Sequence, residues 1–215
     1  MAKTFNISPQ IVEEYHRMKH HILSSSPERK IKTLLFSSSI EGEGTSTVLI
    51  SFAITLASRG DKVLLVDANL RNPTLHNLFN LDKKGGLTEV LLEENTLMDV
   101  IKQTTFTNLS VITSGIPHSN SFSIFESKSF DSFIEQMKAR ADWVLFDSPP
   151  INTYNDSSTL ADKMDGVVMV VEAEKTRWEV AQSAKERIEN GKVKILGVIL
   201  NKRELYIPRW AYKML

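Results

Sequence analysis

The residues most able to do chemistry lie in SSSIEGEGTSTV, Ser37 to Val48, placed between the apolar run Leu34 to Phe36 and a helical pattern. Gly42 and Gly44 let the main chain turn so that its N–H groups converge, and the helix behind adds a positive dipole end. Such a turn suits a phosphate. Ser46 stands where a magnesium-binding hydroxyl belongs, and Thr47 follows it. Against the phosphate-loop pattern G-x-x-x-x-G-K-[ST], the first glycine is Ser39 and the lysine is Thr45. Taken alone, GEGTST is explained about as well by an ordinary strand-to-helix turn.

Two further apolar runs end in acids. VLLVDANLR, Val63 to Arg71, delivers Asp67, with Asn69 and Arg71 at alternate positions beyond it. WVLFDSPP, Trp143 to Pro150, delivers Asp147. Either aspartate alone could be a helix cap or turn residue. A loop and two acids arriving in this order at one carboxyl edge of a sheet point to a nucleotide site.

The elements that must position these groups are legible from the apolar pattern. Lys32–Phe36, Lys62–Asp67, Leu109–Ile112, Trp143–Asp147, Gly166–Val171 and Lys194–Leu200 are short runs that do not alternate with polar residues. Runs of this kind are strands covered on both faces, as in a parallel sheet. Between them, Val48, Leu49, Phe52, Ala53 and Leu56 form one helical stripe behind the loop. The expectation is a doubly wound α/β domain, mostly parallel and flanked by helices, over residues 1–215. Ser8-Pro9 caps a helix carrying Ile11, Tyr15, Met18 and Ile22 on one face, and Phe125 to Asp142 reads as an amphipathic helix burying Phe130, Phe133 and Met137.

Composition narrows the class. Hydrophobic residues make up 41% and charged residues 24%, and Lys+Arg equals Asp+Glu at 26 each, so bulk charge gives no argument for nucleic acid. There is no cysteine, hence no disulfide framework, thiol nucleophile or Cys-ligated metal, which fits a cytosolic chain. No apolar run approaches a membrane span, and the first ten residues, MAKTFNISPQ, lack the apolar core of a signal peptide.

These segments resemble the cytoplasmic domain of bacterial tyrosine autokinases of capsule and exopolysaccharide synthesis, which have a relaxed P-loop fold. The resemblance covers nearly the whole chain: EEYHRMKHHI (Glu13 to Ile22), GLTEVLLEENTLMDVI (Gly86 to Ile101), LSVITSG, DWVLFDSPPI and LGVILN follow in family order. It implies that Gly42, Glu43, Gly44, Thr45, Ser46 and Thr47 wrap the phosphates of ATP or ADP. Ser46 and Asp67 would hold Mg²⁺, with Asp147 acting through a bound water; Asp67 and Asp147 are the catalytic acids of an active member. Asn201 is placed at the base, or is merely a strand cap; Arg71 reaches phosphate or a neighbouring subunit, or forms a surface ion pair.

The resemblance also implies a membrane copolymerase as activator, a position at the inner face of the cell membrane, and oligomerisation through the helix of residues 1–30. That family helix carries Glu-x-x-Arg-x-x-Arg; here the positions read Glu13, His16 and Lys19. The family's Asp-x-Asp-x-Arg is Asp67, Asn69, Arg71, and its terminal tyrosine cluster is reduced to Tyr206 and Tyr212. The tail, 202–215, interleaves Lys202, Arg203, Arg209 and Lys213 with Tyr206, Trp210 and Tyr212, which suits an anionic membrane surface or an edge helix.

Thr45 removes a cation and Asn69 an anion, so the net charge of the site is retained. That is the pattern of a site kept for binding rather than transfer. Loss of one preorganised donor to a developing oxyanion costs on the order of 10²- to 10³-fold in rate. The competing expectation is a working kinase that recruits another cation, Arg71 or one from a neighbouring subunit. A relative that partitions cargo would carry a further lysine early in the loop, where this chain has Ile40. His16 and His20 share a helix face, yet no third metal ligand accompanies them.

Overall fold

A computed structural model describes residues 5, 7–25, 30–118 and 121–203. In chain order the elements are α1 (Pro9–Ser24), β1 (Thr33–Ser38), α2 (Thr45–Ala57), β2 (Val63–Asp67), α3 (Leu75–Phe79), α4 (Leu87–Leu91), α5 (Leu97–Val100), β3 (Lys102–Gln103) and β4 (Leu109–Ile112). They continue with α6 (Ser121–Phe125), α7 (Lys128–Arg140), β5 (Trp143–Asp147), α8 (Asp156–Asp162), β6 (Gly166–Glu172), α9 (Trp178–Glu189) and β7 (Ile195–Asn201).

The strands form a seven-stranded sheet in the order β3-β4-β2-β5-β1-β6-β7. All neighbours are parallel except β3 and β4. This is the doubly wound sheet the apolar runs predict. The antiparallel β3 was not anticipated, because two residues are too short for a periodic signal.

Alternate strand residues point to opposite faces, and both faces are covered. Leu34, Phe36 and Leu145 pack with Leu49, Phe52 and Leu56 of α2 and with Tyr15 and Ile22 of α1. Leu35, Val144 and Phe146 pack beneath Phe130, Phe133 and Met137 of α7. β7 is the exception: as the outer strand it leaves Val198 and Leu200 exposed.

Local rules set the helix limits. At α1, the Ser8 side chain accepts the Ile11 N–H at 3.4 Å and Pro9 occupies the first turn, as expected. Ile11, expected on the buried face, is exposed. The single helix predicted for Phe125 to Asp142 is divided. Ser127 adopts an extended conformation and its side chain accepts from Phe130 N, starting α7 three residues later than predicted and leaving α6 separate. Phe130, Phe133 and Met137 are buried as predicted. Among the described residues no helix is long and apolar enough to cross a membrane. Tyr206, Trp210, Arg209, Tyr212 and Lys213 lie outside the described residues.

A nucleotide-type site at the carboxyl edge of the sheet

β1 and β5 are neighbours, and their connections leave in opposite directions, to β2 on one side and β6 on the other. Ligand crevices in α/β sheets open at such a switch point. Ser39 to Gly44 fills it.

Gly42 (φ 85°) and Gly44 (φ 91°) take left-handed conformations, and Gly44 has a second constraint: a Cβ there would stand 2.4 Å from the Asn201 amide nitrogen. Glu43 is buried and faces away from the crevice. Its carboxylate accepts the N–H groups of Ser39 (2.6 Å), Ile40 (3.0 Å) and Glu172 (3.1 Å), and the Thr176 hydroxyl. Its carbonyl accepts the Asn201 side-chain amide at 2.8 Å. Glu43, expected at the phosphates, and Asn201, expected at the base or as a strand cap, here hold the loop and tie it to β6 and β7.

Behind the loop, α2 begins at Thr45 with no side-chain cap. Its first N–H groups and the positive end of its dipole therefore face the crevice. The cavity there holds about 340 Å³ and is lined by Gly42, Thr45, Ser46, Thr47, Asn69 and Asp147 among others; none of the described lining residues is basic.

The two predicted acids meet. Asp67 and Asp147 are paired in register on adjacent parallel strands and both are buried. Asp67 Oδ2 accepts the N–H groups of Thr74 and Leu75, each at 3.0 Å. Asp147 Oδ2 accepts the Ser46 hydroxyl at 2.5 Å, and Ser46 Oγ in turn accepts the Thr74 hydroxyl at 3.0 Å. The Oδ1 atom of each acid has no hydrogen-bond partner among the described residues.

Burial pushes the Asp147 carboxyl up to about 7, against the opposing Ser46 hydrogen bond. Burial also raises Asp67, reinforced by the charge of Asp147 and opposed by the amides of Leu75, Thr74 and Asn69. Two buried carboxylates with open lone pairs are costly unless a cation joins them. With Ser46 Oγ they make an all-oxygen donor set of the kind Mg²⁺ prefers, which takes a few protein oxygens and completes its shell with water and phosphate. The residues fit the ion. No cluster of three or more His, Asp or Glu competes as a metal site among the described residues.

The remaining expected residues lie nearby with other commitments. Asn69 Oδ1 accepts Asn72 N–H at 3.0 Å, so it shapes the turn after β2 as an aspartate would. Arg71 pairs with the buried Asp156 (Nε to Oδ2, 2.9 Å) and lies over the Tyr154 ring at 4.6 Å. Of the α1 positions expected to meet a neighbour, Lys19 pairs with Asp61 at 2.5 Å and Glu13 with Arg17 at 3.7 Å. Sequence reasoning missed Thr74 and Tyr154 and assigned Lys202 to the tail. Yet Lys202 Nζ donates to Gly42 O at 2.7 Å.

Comparison with known proteins agrees with this geometry. Residues 31–194 match the AAA domain family. The chain is 36% identical over 193 residues to the tyrosine-protein kinase YwqD of Bacillus subtilis (strain 168), covering 90% of this chain and 81% of that protein. Against the tyrosine-protein kinase CpsD of Streptococcus agalactiae it is 35% identical over 191 residues, covering 88% and 82%. The crystal structure of the chimerical protein CapA2B2 superposes with a TM-score of 0.87 at 32% identity, covering 92% of this chain and 87% of that one. The chain therefore belongs to the family of bacterial tyrosine-protein kinases built on an AAA domain.

Proposed function

We propose that this protein is a nucleotide-binding regulator of capsule or exopolysaccharide synthesis or export, with phosphoryl transfer impaired. The observation that carries the reading is the contrast inside one cavity. The open helix end, Ser46, Asp67 and Asp147 are assembled, while Thr45 stands at the lysine position and none of the described residues lining the cavity is basic.

Gly42 to Thr47 hold the phosphates of ATP or ADP through main-chain N–H groups. Ser46 and Asp67 would hold Mg²⁺, and Asp147, which accepts the Ser46 hydroxyl, would orient water beside it. Bound there, the ion would supply positive charge to offset that of the phosphate and of the two acids. Transfer asks for more than binding, because charge developing on the transferred group needs a fixed cation. Without one, transfer falls by about 10²- to 10³-fold, whereas charge-assisted N–H contacts, each worth about 1.5–3 kcal/mol, sustain binding. The turn Ser148–Pro150, which follows Asp147, is the segment placed to respond to the bound phosphate.

The setting follows from kinship. The chain works at the inner face of the membrane beside a membrane copolymerase, and copies associate through the α1 face that carries Glu13, His16 and Lys19. The second reading, an active tyrosine kinase with a substitute cation, keeps Asp67 and Asp147 as its catalytic acids. The test is calorimetric titration with Mg-ATP beside a radiolabelled phosphate-transfer assay, with and without the membrane protein. Binding without transfer is expected. Transfer that Asp67→Ala abolishes would establish the kinase instead.

A further inference from the structure

We infer that Lys202, at the end of β7, supplies the phosphate-binding charge that Thr45 does not. The inference rests on the reading that the loop takes a nucleotide, and it names the side chain that holds the polyphosphate there.

Lys202 already touches the loop. Its ammonium donates to the carbonyl of Gly42 at 2.7 Å, and Gly42 itself lines the cavity. Its Cε lies 3.8 Å from where a Cβ on Gly44 would be, so the stem runs alongside the loop. The backbone beneath it is set. Asn201 is tied to Glu43 O at 2.8 Å, and Lys202 takes φ 55°, a left-handed conformation uncommon for a residue with a long side chain.

The ammonium is also free to leave its present partners. Its second acceptor is Glu172 Oε2 at 3.1 Å, and that same oxygen holds Lys175 at 3.2 Å. Glu172 therefore keeps a counter-charge when Lys202 departs. The Lys202 side chain is 45% exposed, so part of it already borders solvent on the side of the loop. Arg71, a second cation near the loop among the described residues, is similarly exposed at 43% but is held by stronger partners. It makes two hydrogen bonds to a buried carboxylate and is stacked on an aromatic ring. A flexible lysine exchanging a carbonyl and a shared carboxylate for a polyphosphate gains; a fixed arginine would lose.

The experiment measures binding, not turnover. Mg-ATP, Mg-ADP and adenosine are titrated into the full chain and into Lys202→Met, which keeps the stem and removes the charge, and Lys202→Arg. A charge-assisted contact predicts that Lys202→Met weakens Mg-ATP on the order of 10- to 100-fold, Mg-ADP less, and adenosine not at all, while Lys202→Arg retains most of the affinity. Glu172→Gln, which releases Lys202, should tighten Mg-ATP, and the gain should vanish in the Glu172→Gln/Lys202→Met pair.

If the parent chain binds Mg-ATP and Lys202→Met binds it equally, Lys202 is not the cation and the nucleotide reading stands without it. Equal loss for Mg-ATP and adenosine would make Lys202 a structural support and overturn the inference. A parent chain that binds no nucleotide overturns the reading of the loop and the inference together.

Discussion

The two ends of β1 show how one kind of side chain serves two purposes. At the amino end, Asp165 accepts the N–H groups of Lys32 and Thr33 through Oδ2, each at 2.9 Å, and its Oδ1 lies 3.4 Å from the Lys138 ammonium. Burial alone would raise this carboxyl, but those amides and Lys138 outweigh it and hold it below the usual range. At the carboxyl end, Asp67 and Asp147 are more deeply buried, have open Oδ1 atoms and no lysine partner among the described residues, and are pushed up. A saturated acid closes a strand end; an unsaturated pair awaits a ligand. Only the second arrangement is poor for stability in isolation, and the proposed ion site draws on that cost.

The comparison can be tested by giving the carboxyl end what the amino end has. Thr45→Lys with Asn69→Asp restores a cation and its balancing anion. Phosphate transfer should rise by about 10²- to 10³-fold, more than from either change alone, as followed with radiolabelled ATP. No gain from the pair would contradict the proposed cause of impaired transfer.

A smaller effect is expected from disarming the open pair. Asp147→Asn should weaken Mg-ATP by about 10-fold or more while raising the melting temperature of the ligand-free chain, because it removes an uncompensated buried charge. Lower stability in the absence of ligand would place Asp147 with the structural acids.

The smallest change is at the saturated end. Asp165→Asn should cost about 1–3 kcal/mol of stability, seen in denaturant melts, and leave nucleotide affinity untouched. Its folded-state value is depressed, so the stabilisation is present above the ordinary carboxylate value and is lost as pH falls through the folded one. Acid unfolding of Asp165→Asn should accordingly be less steep than that of the parent chain.

What could be read beforehand follows the range of the interactions involved. Asp67, Asp147 and Ser46 were legible because each sits at a fixed offset from an apolar run, and parallel pairing brings such strand ends together. The β sheet, α1 with its Ser8-Pro9 start, and the buried face of α7 were legible for the same local reasons. Lys202 was not: it reaches Gly42 across 160 positions, and no periodicity encodes that contact. Arg71 was recognised as a cation near the site, but its partner Asp156 lies 85 positions away, so its commitment emerged only from the fold. Glu43 looked like a loop residue facing ligand. That it turns inward depends on amide donors from Glu172 and a hydroxyl from Thr176, on the far side of the chain.

The central claim is that main-chain amides and the Asp67–Asp147 pair grip a magnesium polyphosphate although Thr45 replaces the lysine. Calorimetric titration of ATP into the parent chain with and without Mg²⁺ tests it most directly. The expected result is saturable binding with Mg²⁺ that largely disappears when the ion is chelated. Binding of equal strength without Mg²⁺, or no binding in its presence, would contradict it.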